Sequence, residues 1–417
     1  MTGRMQTVWP VRLVSIAALA AGAIIAYRLF VAMTTAAPMV TVGAAPFAVA
    51  VDAWTARAFV ANWGDGTVSV LAPPTGQVLR TTVVGSHPLA LAVDERDVCV
   101  VVVNGTVDDE GYAHGPGSVG LLDARSGRLL RTIAVESKPV AVAVAPRTGR
   151  AFVVSARDAF ATVPGVVSVL DMRRHTLLRT TAVGLNPGPV VVDDGIGRVF
   201  VANIDGGSVS ILDAGRGHSL RTVHVGRSPV ALAVDQTAGR VVVVNQDDDT
   251  VSVLDARSGT VLRTVAVGRE PTTVAVDERS GLAFVTNANG FGTNAGSVSV
   301  LDVRHGAVLR TVAVGRGPWA VAVDQRRDRV MVANGAASWF TPPTGSVSVL
   351  DGRSGAILRT VRAANAPPML QMAAGSASVS VPNGSGSPLA IDSSADRAFI
   401  ASGLTGSGRV SIVDLTQ

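Results

Sequence analysis

The chain has 417 residues, 47% of them hydrophobic but only 4% aromatic, and a formal net charge of +5. That hydrophobic content excludes a disordered chain, and a supply dominated by Val, Ala and Gly suits many short strands joined by tight turns. The positive charge is nearly all arginine, with Lys138 the only lysine, and it recurs at regular intervals along the chain, which argues against nucleic acid as a partner.

In chain order, the first element is an apolar stretch. Arg4 and Arg12 precede Leu13 to Tyr27, Arg28 interrupts it, and Leu29 to Met33 continue it. As a helix, residues 13–33 would span about 31 Å, close to the thickness of a hydrocarbon core. Arg28 near the far end can snorkel to the interface. The basic residues on the near side predict a cytoplasmic tip, with everything after the helix exported. Residues 1–37 therefore read as a cytoplasmic tip and single-pass membrane anchor, with residues 38–417 in the periplasm or at the cell surface. A cleaved signal peptide, and so a secreted protein, is the alternative. The small-residue candidate Thr35-Ala36-Ala37 is followed by Pro38, which disfavours cleavage.

After the apolar stretch the chain repeats. One unit reads Gly226-Arg227-Ser228-Pro229, then Val230 to Asp235, Arg240 to Asn245, Thr250 to Asp255, a turn at Ala256 to Gly259, and Val261 to Gly268. Four short apolar runs separated by turn residues predict four strands, a to d. Strand c recurs eight times, starting at Val68, Val119, Val167, Val209, Val251, Val298, Val347 and Val410. A solenoid of this period would need helices or capping units, so radial closure into a β-propeller is the expected architecture. The last unit stops at Asp414 without a strand d, and the exported region begins with one, Met39 to Val42. Joining the two predicts an all-β, eight-bladed β-propeller over residues 38–417, closed by strand 39–42. A seven-bladed ring is the alternative, because the last unit is short from Pro388 to Asp392 and follows a long insertion, Val361 to Ser387. Cys99 sits in a valine run and reads as a buried small hydrophobe.

The unit resembles the YVTN family of β-propeller repeat proteins. Phe284-Val285-Thr286-Asn287 differs by one residue from the family signature, and Phe59-Val60-Ala61-Asn62, Phe200-Val201-Ala202-Asn203 and Met331-Val332-Ala333-Asn334 are close variants. Ser155 and Ser402 stand where the other units have Asn. The resemblance covers about residues 39–417. It implies the propeller fold with strand d outermost, and it does not fix a function.

The repeated polar residues read first as structure. The Asp after strand c, from Asp123 to Asp414, opens the c–d turn. The Arg of strand d, from Arg80 to Arg359, guards the outer edge against pairing or touches anionic headgroups. The Asn after strand b, from Asn62 to Asn334, caps the b–c turn. Asp247-Asp248-Asp249 reads as a solvated turn.

The b–c loops are long in units two, three, six and seven, so two walls are expected to flank the channel mouth, where binding residues collect. The scarce aromatics gather there: Trp63, Tyr112, Phe160, Phe291, Trp339 and Phe340 in b–c loops, and Trp319 after the anchor Pro318. With His114 they form the candidate partner-binding set. No Gly-x-Ser-x-Gly elbow, His-x-x-x-His pair or polar cysteine is present, so the sequence favours a non-enzymatic binding protein for an envelope protein or glycan, with no catalytic residues, metal or cofactor expected. Two enzyme classes are the alternatives. One is a propeller lactonase-like hydrolase with a divalent cation near Asp108, Asp109, Glu110 and His114. The other is a quinone-cofactor dehydrogenase, to which Leu122 to Leu130 bears a likeness but which would want a Trp where Arg131 stands. The oligomeric state is left open.

Overall fold

The computed structural model describes residues 39–414 except 53, 56, 73–74, 106–114, 158–161, 291–294, 336–344, 364–388, 393–396 and 403–406. The apolar stretch at 13–33 therefore lies outside the described residues. Among those described, no helix is long and apolar enough to cross a membrane.

The strands form eight four-stranded antiparallel sheets, each in the order a-b-c-d. Blade one is Pro46–Val51, Ala58–Asn62, Thr67–Leu71 and Val78–Val83; blade seven is Pro318–Asp324, Arg329–Asn334, Gly345–Asp351 and Ile357–Ala363. Blade eight combines both ends of the chain. Its strands a to c are Leu389–Asp392, Arg397–Ser402 and Ser407–Asp414, and its strand d is Met39–Ala44. Met39 pairs with Ser411, Val40 with Val410 and Thr41 with Arg409. The blade count is eight, which removes the seven-bladed alternative, and the closing strand runs two residues beyond the expected 39–42.

Each strand a packs against the strand a of the next blade, around to blades eight and one. Strand a is therefore innermost and strand d outermost. This explains the valine-rich composition. Strands b and c are covered on both faces by neighbouring blades, so they need continuous apolar runs and not alternation. Cys99–Asn104 is buried at every position, whereas Ser219–His224, a strand d, is mostly exposed. Phe59, Phe152, Phe200, Phe284 and Phe399 of strand b are at most 1% exposed and fill the layers between blades. Truncating one of them would cost about 3–5 kcal/mol. Cys99 belongs to the same layer, and burial pushes its thiol up to about 12.

Antiparallel order fixes two faces. The a–b and c–d turns leave one end of every blade; the b–c loops and the short d–a links leave the other. Both turn sets are built as their residues require. In blade five, Asp255 Oδ1 accepts the Ser258 N–H at 2.8 Å and its hydroxyl at 2.9 Å, and Gly259 takes φ 70°. Asp123 and Asp351 do the same with Ser126 and Ser354. A second partner is not obvious from sequence: the first Arg of strand b pairs with this Asp, as in Arg240–Asp255 and Arg150–Asp171, both 3.0 Å.

The arginines of strand d correct an expectation. They do more than charge an edge, because their stems lie across the c–d turn of the next blade. Arg80 Cδ is 3.3 Å from where a Cβ on Gly127 would stand, and Arg221 Cδ is 3.4 Å from the same point on Gly259. Arg221 donates to the Ser258 carbonyl and Arg359 to the Asp414 carbonyl, the latter joining blade seven to blade eight.

Candidate functional site

The face carrying the b–c loops and d–a links is built on a repeated clasp. The signature Asn at the end of strand b is buried, from 0% exposed at Asn62, Asn203, Asn245 and Asn287 to 3% at Asn334. Its amide nitrogen donates to hydroxyls of strand c: Asn245 to Thr250 at 3.1 Å and Ser252 at 2.9 Å, Asn203 to Ser208 at 3.0 Å and Ser210 at 2.9 Å. In blades four and five its oxygen also reaches back to the link from the preceding blade, accepting the Gly184 N–H (Asn203, 2.9 Å) and the Gly226 N–H (Asn245, 3.2 Å). In blade two the Asn104 amide nitrogen donates to the Val84 carbonyl at 3.0 Å, whereas the oxygens of Asn62, Asn104, Asn287 and Asn334 are buried without a partner. The Asn thus bridges the b–c turn, as expected, and in blades two, four and five it also clasps the link between blades. Where Ser155 replaces it, the link is held only by a long bond from Ser155 Oγ to the Glu136 carbonyl at 3.4 Å, and Ser168 Oγ is left buried without a partner, as is Ser411 Oγ in blade eight.

In blades one to seven the residue before the anchor proline is left-handed. From Ala45 to Glu270 its φ lies between 44° and 51°. This conformation is unfavourable before proline and stores strain. It is held because it turns the carbonyl toward the start of the b–c loop, where it accepts the N–H after the signature residue. These bonds are Trp63 to Ala45 at 2.9 Å, Gly105 to His87 at 3.0 Å, Gln246 to Ser228 at 2.9 Å and Ala288 to Glu270 at 3.0 Å. The rim of the ring is therefore fixed in blades one to seven. Yet the side chain it presents changes from blade to blade: His87, Lys138, Asn186, Ser228 and Glu270, all half-buried. Sequence reasoning passed over this set. Its signal was a position that varies in chemistry inside an otherwise repeated Gly-x-x-Pro.

Of the residues expected to form the site, Trp63 and Trp319 are described. Trp63 is half-buried and stacks on His87 with ring centroids 4.5 Å apart, tilted by 46°. His87 Nδ1 is buried without a hydrogen-bond partner. Trp319, the second residue of strand a in blade seven, packs against the core between blades seven and eight, and its indole Nε1 has no partner. Trp63 and Trp319 lie in blades separated by blade eight. Tyr112, His114, Phe160, Phe291, Trp339 and Phe340 lie outside the described residues, as do Asp108, Asp109 and Glu110.

The acidic turn at Asp247-Asp248-Asp249 is not simply solvated. Asp248 pairs with Arg227 at 2.6 Å and accepts its N–H at 2.7 Å, which holds the carboxyl below its ordinary range. Asp247 takes the Ser228 hydroxyl, and Asp249 accepts the Glu270 N–H at 2.7 Å. Glu270 in turn accepts the Gly290 N–H at 3.2 Å. Among the described residues no three His, Cys, Asp or Glu side chains converge to hold a metal.

Comparison with known proteins agrees with the fold. Residues 230–394 match the model of the Choice-of-anchor I domain. Among solved structures, the chain is similar to a functionally unknown protein from Desulfotomaculum acetoxidans, at 12% identity and a TM-score of 0.56, over 78% of this chain and 99% of that one. It is also similar to Kuenenia stuttgartiensis hydrazine synthase, at 15% identity and a TM-score of 0.55, over 79% and 96%. No curated protein matches. At these identities the structures establish the β-propeller fold alone. The YVTN family is not itself established by the matches. The domain match suggests a cell-surface or extracellular protein.

Proposed function

We propose that the chain is a non-enzymatic binding scaffold, tethered by residues 13–33, that grips an envelope protein or glycan on its b–c face. The observation that carries this reading is the rim. Seven described links with one geometry present different side chains, five of them polar, on a rim that also holds a half-buried indole, and recognition needs fixed positions with varied chemistry. The remaining aromatics of the candidate set belong to the long b–c segments of units two, three, six and seven in the sequence, and rings on a rigid frame suit sugar faces and protein hot spots equally.

The test uses the purified full chain in detergent, probed on an array of envelope glycans and cross-linked to native envelope extract. Parent is compared with Trp63→Ala, His87→Ala and Glu270→Ala, after circular dichroism shows each is folded. A single glycan or protein bound by the parent, and at least tenfold more weakly by the variants, is the expected result. Equal binding by parent and variants would remove the rim as the site.

A further inference from the structure

We infer that the opposite face, which carries the a–b and c–d turns, docks on an anionic lipid bilayer. Regular spacing along the sequence becomes concentration on one face in a propeller, because equivalent residues of all blades share one height. In six consecutive blades an exposed arginine follows two or three residues after the strand c Asp, from Arg125 in blade two to Arg353 in blade seven. The acids of this face are largely engaged. Those ending strand c bond their own turns, and those ending strand a are buried, with Asp94, Asp235, Asp277 and Asp324 all 0% exposed. Asp97 and Asp328 face Arg173 and Arg353 at 3.8 and 2.8 Å. The b–c face differs: Asp65, Asp205 and Asp247 to Asp249 line it, and Arg227 there is paired.

Charge alone would fit any polyanion. Apolar side chains on the same rim select a bilayer. One leucine near the start of each strand d, from Leu79 to Leu358, is 41–51% exposed in blades one to seven, beside the arginine that clasps the next blade. Trp54, in the a–b turn of blade one, is 82% exposed on this face. Arginine, leucine and tryptophan interleaved on one face match an interface between headgroups and acyl chains. Phosphates of a nucleic acid would gain nothing from the leucines.

The course of the chain agrees. Ala44 pairs with Ser407 at the b–c end and Met39 with Ser411 nearer the c–d end, so strand d of blade eight starts on the docking side. Whatever precedes Met39 joins the propeller from there.

The test places a fluorophore on the full chain at Ser354→Cys in a c–d turn or at Asp205→Cys in a b–c turn, each with Cys99→Ala. The chain is presented to phosphatidylcholine nanodiscs with and without phosphatidylglycerol, with a quencher on the lipid headgroups. Quenching at Ser354→Cys several-fold above that at Asp205→Cys is expected, dependent on phosphatidylglycerol and lost in Arg125→Glu/Arg216→Glu/Arg257→Glu. Equal quenching at both sites, or quenching indifferent to phosphatidylglycerol or to the triple substitution, overturns the proposal. A response to soluble polyphosphate or DNA with none to discs overturns it in favour of a soluble polyanion. Binding on the b–c face is read separately, so loss of one face leaves the other standing.

Discussion

Substituting Gly226 by Ala isolates the clasp between blades. Gly226 is not left-handed, so an alanine there meets no backbone strain. It meets Asn245 instead. An added Cβ would stand 2.7 Å from both Cβ and Cγ of Asn245 and 2.8 Å from its amide nitrogen. Asn245 is 0% exposed and fixed by Thr250 and Ser252, so it cannot swing aside without breaking buried hydrogen bonds. Overpacking costs about 1–3 kcal/mol, and losing one or two of those bonds adds about 1–2 kcal/mol. The expected loss is about 3 kcal/mol, read by urea unfolding followed by circular dichroism. Gly239→Ala is the control: its φ is 65° with open space around it, so strain alone should cost about 1–2 kcal/mol. In a Gly226→Ala/Asn245→Gly double variant the collision is gone, and stability should be no lower than for Asn245→Gly alone. A Gly226→Ala protein within about 0.5 kcal/mol of the parent, the range of ordinary surface changes, would refute the clasp.

Blade three offers the converse, because Ser155 and Glu136 stand where other blades have Asn and Gly. Glu136→Gly with Ser155→Asn should restore the bond to Ser168 and add about 1 kcal/mol, whereas Ser155→Asn alone should destabilise; thermal unfolding of the set decides. Asp235 Oδ2 is buried without a partner, while Ser280 and Thr55 supply one to Asp277 (2.8 Å) and Asp52 (2.6 Å) from three residues on. Ala238→Ser should therefore raise stability by about 1 kcal/mol and lower the Asp235 pKa, measured by thermal unfolding and NMR titration. The two sets of aspartates should also respond to acid in opposite senses. Burial raises Asp94, Asp193 and Asp235, so a penalty present at neutral pH is relieved as pH falls through their raised values. Backbone and hydroxyl donors of Ser258 and Ser354 lower Asp255 and Asp351, so stability they give above the usual carboxylate range is lost as pH falls through their lowered values. Stability should rise slightly on mild acidification and then fall; Asp235→Asn should reduce the rise, and Asp255→Asn should blunt the fall.

The ring was legible because Val, Asn, Asp and Pro recur at matching places, and because the two incomplete ends complement each other. The roles of the repeated polar residues were harder to read, since a local turn explains Asn or Arg as well as an inter-blade contact does until the blades are placed side by side. One clue was available: where Asn becomes Ser155 the link glycine becomes Glu136, which ties two positions 19 residues apart. Of the aromatic set, Trp63 pairs with His87 and Trp319 turns toward the core. His87 was not foreseen as a partner because nothing in the chain signals that a link from one blade lies over the b–c loop of another. The basic face escaped notice for a similar reason. Even spacing in sequence looks like dispersal, and only radial closure turns it into a patch.

Both face assignments depend on blade eight being closed by the N-terminal strand. Thr41 and Arg409 are directly opposed in that ladder, within reach of a disulfide. Oxidation of full-length Thr41→Cys/Arg409→Cys, with Cys99→Ala, is the most direct test. The account predicts an intrachain disulfide that forms readily and raises the unfolding midpoint, with none in the out-of-register pair Thr41→Cys/Val413→Cys. No cross-link, or one that forms only between chains, would contradict the closure and with it the two-faced ring.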